Sequence, residues 1–134
     1  MPSIQIDLPV DASVTFKALK QELARRVGLI YADRMKVNAD LLTVSVHALG
    51  DGGIWRCHEG ADPTPSALIM CDIRSGRTRE TRAALAQSLI DTCVDLFQLD
   101  SLWIKVEFTQ HTGDEMYHPH LGGFNKDWTG DERT

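Results

Sequence analysis

The chain has 134 residues, 43% of them hydrophobic and 25% charged, with a net charge of −5. That length suits one domain with a single core, and the acidic balance argues against a general nucleic-acid binder. No apolar run approaches the roughly 20 residues a membrane-spanning helix needs, and the opening residues, with Asp7 and Asp11, lack the basic-then-apolar pattern of a signal peptide.

A proline stands second, directly before residues 3–8, SIQIDL, whose apolar–polar alternation predicts a half-buried strand. A strand's first residue tolerates proline. Removal of Met1 would also leave Pro2 as a free secondary amine, able to act as base, acid or nucleophile. Residues 13–30 carry Phe16, Leu19, Leu23, Val27 and Ile30 at helical spacing, with Ser13 or Asp11 as cap. Residues 41–48, LLTVSVHA, set Leu42, Val44 and Val46 on one face of a second strand, followed by DGG at 51–53.

The order then repeats. Residues 67–73, ALIMCDI, predict a strand, SGRT at 75–78 a turn, and Thr78 the N-cap of a helix over 79–97. That helix places Ala86, Leu89, Ile90, Cys93 and Phe97 on one face, and LWIKVEF at 102–108 predicts a further strand. A shift of 65 lays IDL at 6–8 on CDI at 71–73 and Ser13 on Thr78. A shift of 62 lays Leu42, Val44 and Val46 on Ile104, Val106 and Phe108. Identity between the halves is low, so the repeat is one of pattern. The fold expected is α+β (α/β): a tandem β-α-β repeat with right-handed crossovers. Its four strands form one sheet with both helices on one face. The halves fall at about 1–53 and 66–123 of a single domain, with a Gly- and Pro-rich linker at about 54–65 and a C-terminal tail. The sheet's other face needs cover, which a trimer could supply.

Three features carry candidate chemistry. Pro2 is the first. Arg74 and Arg77 bracket a strand's carboxyl end and a helix start, where two guanidiniums and helix N–H groups suit a carboxylate. Surface arginines are also common there, and cations at a helix start oppose its dipole. The third is the tail, in which His111, His118 and His120 with Asp114 and Glu115 could ligate a metal. No regular zinc spacing completes that set, so no metal is expected, and the tail reads instead as a polar wrap over a neighbouring subunit. Cys57, Cys71 and Cys93 are odd in number and widely spaced, as reduced thiols in a cytoplasmic protein would be. None has a histidine pattern beside it that suggests a nucleophile. Trp103 and Phe108 read as core or interface, and Trp55 and Trp128 as covers for apolar surface.

This arrangement resembles the tautomerase superfamily, whose members begin with proline after methionine removal and are built from β-α-β units. Residues 68–123 follow the order of a single unit: LIMCDIR, SGRT, a helix, IKVEFTQH and, later, LGG. The full chain resembles the fused members, among them the cis-3-chloroacrylic acid dehalogenase, malonate semialdehyde decarboxylase and 5-carboxymethyl-2-hydroxymuconate isomerase groups. The resemblance implies that Pro2 is the catalytic amine and that Arg74 and Arg77 hold a substrate carboxylate. The first half has Pro9 and Ala12 at the corresponding places, so one site per chain is expected. Gln110 stands where the dehalogenase group has a glutamate, and an amide cannot be a general base, which disfavours hydrolytic dehalogenation. Asp40 lies about one residue from the decarboxylase group's aspartate, whose arginines are spaced i, i+2 rather than i, i+3. The family histidine of the first helix region has no counterpart, although Arg25 and Arg26 are near; His111 is a further candidate assistant. The resemblance implies a cofactor-independent homotrimer that isomerises a 2-oxo or 2-hydroxy-dienoate acid, with Pro2 as general base. The alternatives are a decarboxylase, hydratase or dehalogenase of a small three-carbon acid using protonated Pro2, and a non-enzymatic trimer that binds small anions or a protein.

Overall fold

The computed structural model describes residues 2–11, 14–50, 52–119 and 122–124. The elements in chain order are β1 (Ser3–Leu8), α1 (Val14–Met35), β2 (Thr43–Ala48), β3 (Trp55–His58), β4 (Ala61–Pro65), β5 (Ala67–Arg74), α2 (Arg79–Phe97), β6 (Ile104–His111), β7 (Tyr117–His118) and β8 (Gly123–Phe124). Four strands make one sheet in the order β2-β1-β5-β6. β2 runs parallel to β1 and β6 parallel to β5, while β1 and β5 meet antiparallel at the centre. This is the α+β architecture expected from two tandem β-α-β units.

Alternation in β1 is a consequence of one-sided burial: Ile4, Ile6 and Leu8 are fully buried, whereas Ser3 and Gln5 are exposed. β5 does the same with Ala67, Ile69, Cys71 and Ile73. Both helices cover this face. α1 contributes Leu23, Val27, Tyr31 and Met35, and α2 contributes Leu85, Leu89, Cys93 and Phe97. These positions recur every four residues and so form one stripe on each helix. Each fully buried Ile or Leu contributes about 1.5–3 kcal/mol of transfer free energy. The helices also meet directly, with Phe16 stacked on Phe97 at 5.9 Å and Arg26 paired to Asp95 at 2.6 Å.

α1 runs five residues beyond the predicted end at Ile30, because Tyr31 and Met35 continue its buried stripe. It stops where Lys36 takes a left-handed backbone, φ 56°, and the Val37 N–H reaches back to the Ala32 carbonyl at 3.3 Å. Ser13, one predicted cap of α1, lies outside the described residues. Thr78 caps α2 as expected, its hydroxyl accepting from the Thr81 N–H at 3.1 Å.

The two offsets read from the sequence reproduce the strand registers. Ile4 pairs with Val44 as Ile69 pairs with Val106, and Ile6 pairs with Val46 as Cys71 pairs with Phe108. The central pair obeys the same relation, with Ile6 opposite Ile69 and Ile4 opposite Cys71. The segment at 54–65, expected as a plain linker, folds as the β3–β4 hairpin. Trp103 anchors it, with the His58 ring edge-on at 5.2 Å and the Arg56 guanidinium over its face at 5.3 Å. Trp55 is about half exposed, while its indole N–H donates to the Gly52 carbonyl at 3.0 Å.

Candidate active site

The antiparallel centre decides which residues meet. Ser3 lies opposite Asp72, so the next position outward, Pro2, reaches the level of Ile73. In the parallel pair beyond, Ile73 lies opposite Gln110 and Arg74 opposite His111. Pro2 starts the first strand and Arg74 ends the fifth, yet both stand at one end of the sheet. The Pro2 carbonyl accepts from the Thr43 N–H at 3.2 Å, which fixes this strand start against β2.

Paired residues point to the same face. Pro2, two positions from Ile4, therefore shares the helix-covered face with Ile73 and Gln110. Neighbouring strands lie about 4.8 Å apart, so Pro2 and Gln110 flank Ile73 across about 10 Å. Arg74 and His111 belong to the opposite face. There the His111 Nε2 meets the Asp72 carboxylate, and its Nδ1 lies 3.7 Å from Glu115. His111 is thus engaged by two carboxylates and separated from Pro2 by the sheet.

The turn after β5 brings the second arginine back toward the helices. Ser75 N–H and hydroxyl both donate to the His111 carbonyl, at 2.6 and 2.7 Å. Gly76 adopts φ 104°, a conformation that costs a residue with a Cβ far more. Arg77 is then 7% exposed, an unusual depth for a guanidinium. Arg74 pairs with no carboxylate among the described residues, although it is half-buried. One turn into α2, the Arg82 Nε is buried with no hydrogen-bond partner among the described residues. Three guanidiniums at a helix start oppose the helix dipole, and an anion seated among them would relieve both effects.

The remaining candidates fall elsewhere. Asp40 stands three residues before Thr43, at the same end of the sheet. It lines a groove of about 450 Å³ between α1 and β2, with Arg25, Gly28, Asn38 and Val44. Arg25 and Arg26 pair with Glu22 at 2.6 and 3.2 Å, holding that carboxyl down at about 2. They are committed on the helix surface. Of the tail, His118 lies in the β7–β8 pair, while His120 and Trp128 lie outside the described residues. Among the described residues no three His, Cys, Asp or Glu side chains converge as a metal set. Burial pushes the Cys71 and Cys93 thiols up to about 12, which leaves them inert, and Cys57 is exposed.

Sequence reasoning missed Tyr31. Its ring is 3% exposed on the inner stripe of α1, and its hydroxyl lies within electrostatic reach of Arg77, Arg74 and Cys71. Burial outweighs the two cations and pushes the phenol up to about 12. A continued helical period past Ile30 was the one signal that could have found it.

The chain has the fold of the tautomerase superfamily. It aligns with N1, a member of the cis-3-chloroacrylic acid dehalogenase family, at a TM-score of 0.72 and 19% identity, over 87% of this chain and 79% of that one. A fused 4-OT aligns at 0.69 and 20% identity, over 85% and 90% of the two chains. The macrophage migration inhibitory factor of Toxoplasma gondii aligns at 0.67 and 20% identity, over 87% and 95%. No protein-family model and no curated protein sequence matches the chain.

Proposed function

We propose that this protein is a cofactor-independent tautomerase that uses Pro2, freed by removal of Met1, as a general base on a small carboxylic acid. The observation that carries the reading is the register that sets Pro2 level with the Arg74–Arg77 turn. An α-amino group ordinarily titrates near pH 8. Two cations and partial burial both disfavour its ammonium form, so the amine is neutral near pH 7 and accepts protons. It removes a proton from the carbon beside a substrate carbonyl and returns it at another atom, which gives keto–enol or double-bond isomerisation. Arg77, which the turn brings back toward the helices, binds the carboxylate and offsets the charge that builds up on the enolate oxygen, while Arg74 adds positive charge from the strand end. Gln110 serves as an amide donor on the far side of Ile73, not as a base. A 2-oxo or 2-hydroxy-dienoate acid fits these roles.

We also propose a homotrimer working in the cytoplasm. The similarly folded R7 fused 4-OT is an asymmetric trimer. In this chain the uncovered sheet face carries the half-buried apolar residues Leu68 and Met70, which a neighbouring subunit would cover.

The test is intact mass of the purified protein, followed by a phenylenolpyruvate ketonisation assay on the same sample. A mass lacking Met1, with activity that disappears in Pro2→Ala, is expected. Retained Met1 in active protein sinks the amine mechanism, and processed protein without activity sinks the tautomerase reading.

A further inference from the structure

We propose that the cavity at the other end of the sheet is a second binding site, and that it takes a small primary amine with an apolar body. The inference is independent of Pro2 and holds equally for a protein without tautomerase activity.

β5 and β6 begin side by side at this end, with Ala67 paired to Ile104. The residues that follow α2 close over them and leave a cavity of about 290 Å³. That is the lower end of the size range of small-molecule sites. Leu99 and Ile104 supply apolar wall, and Trp103 adds aromatic surface, which suits both an apolar body and a cation.

Three features set the sign of the ligand. First, the polar groups in the wall are mainly acceptors: the Asp100 carboxylate, the Gln98 amide and the Ser66 hydroxyl, on a residue only 6% exposed. One Asp100 oxygen accepts from the Leu102 N–H at 3.0 Å, and the carboxylate has no ion-pair partner among the described residues. The Gln98 amide nitrogen already donates to the Asp95 carbonyl at 2.9 Å, which leaves the amide oxygen to accept. Second, α2 ends here with no basic residue in its last turn, so the partial negative charge of a helix C-terminus is uncompensated. Third, no Lys, Arg or His lines the cavity among the described residues. The two arginines on adjoining elements are committed, Arg26 to Asp95 at 2.6 Å and Arg56 to the Leu102 carbonyl at 2.9 Å.

A carboxylate and a helix C-terminus together repel an anion. An ammonium group has three N–H donors and no acceptor, the complement of this wall. Its bond to Asp100 is charge-assisted, which an alcohol of the same shape cannot match.

The experiment titrates 2-phenylethylamine into the nitrogen-labelled full chain, followed by amide NMR. 2-Phenylethanol is the uncharged probe of similar shape. A chain of net charge −5 attracts amines weakly over its whole surface, so the place of the response matters as well as its strength. Saturable shifts at Ser66, Gln98 and Ile104 are expected, with affinity for the amine about tenfold or more above that for the alcohol. Asp100→Asn keeps an oxygen for the Leu102 N–H. It should weaken amine binding about tenfold, leave the alcohol unchanged and unfold at the same urea concentration. Should that variant not fold, the comparison of amine with alcohol on wild-type protein decides alone. No saturable binding, shifts scattered over surface carboxylates, equal affinity for the two probes, or amine affinity unaltered in folded Asp100→Asn each overturn the proposal.

Discussion

The two ends of the central strand pair are related by the internal repeat, and they differ in every group that chemistry would use. At one end stand Pro2, the arginine turn and Tyr31. At the other, the offset of 65 puts Ala67 in the place of Pro2 and Pro9 in the place of Arg74. Ala67 follows Ser66 in mid-chain, so its nitrogen is an amide and has no basic lone pair. A cavity of about 290 Å³ does exist there, lined by Pro9, Ser66, Gln98, Asp100 and Trp103. It offers a carboxylate and an indole where the first end offers guanidiniums, and a substrate acid would be repelled. Duplicated scaffolding therefore does not duplicate a site. The scaffold is set by apolar residues that tolerate either half, while the proposed site depends on a chain terminus that occurs once.

The comparison can be broken most severely at Pro2. Replacement by Ala should lower kcat/KM for ketonisation by about 10²–10⁴-fold, measured on protein whose mass shows Met1 removed; a loss under tenfold would argue against Pro2 as the base. The scaffold tests whether the halves are equivalent below the chemistry. Ile4 and Ile69 occupy matching positions, and both are fully buried. Ile4→Ala and Ile69→Ala should each cost about 2–5 kcal/mol in urea unfolding, and similar amounts; a cost confined to one half would show that the repeat is not an energetic one. Arg77→Ala should weaken phenylpyruvate binding about 30–100-fold, in line with a charge-assisted bond made at depth. Pro9→Ala, its counterpart control, should leave binding unaltered. Thr78→Ala removes the cap of α2 and should cost about 1 kcal/mol, read from the urea midpoint.

A further expected effect is alkaline. Cys71, Cys93 and Tyr31 have folded values raised to about 12. At neutral pH these groups are protonated in both folded and unfolded chains. Above about pH 9 the unfolded thiols ionise while the folded ones do not, so stability falls from there toward pH 12. A lower urea midpoint at pH 10 than at pH 8 is expected, with a shallower fall in the Cys71→Ala, Cys93→Ala double variant. A midpoint that rises with pH would contradict the burial of these groups.

Much of this was legible in residues alone. Alternation in SIQIDL and ALIMCDI located the central strands, and the offsets of 65 and 62 anticipated the registers, because side-chain period and strand pairing obey the same geometry. The hairpin at 54–65 was hidden by Gly60, Pro63 and Pro65, residues that normally punctuate loops. Its stability comes from Trp103, 38 residues beyond Pro65, and such a distant partner leaves no local mark. Pro2, Arg74 and Arg77 stood out by residue type and position. That Gln110 shares the face of Pro2 while His111 does not follows from the antiparallel join between the halves, which no spacing within either half specifies. Tyr31 was hidden for another reason: at a helical repeat position, a tyrosine that ends beside the arginine turn looks the same as one that only fills the core.

The hairpin between the halves also has a hereditary meaning. Two separate copies of one β-α-β unit would share every substitution, because both would be read from the same gene. Once a loop ties them together, each half mutates independently. Proline can then settle at position 9 without disturbing Arg74, and a tyrosine can enter the first helix with no twin in the second. The covalent tether has turned a symmetric ancestor-like arrangement into one whose halves are free to specialise.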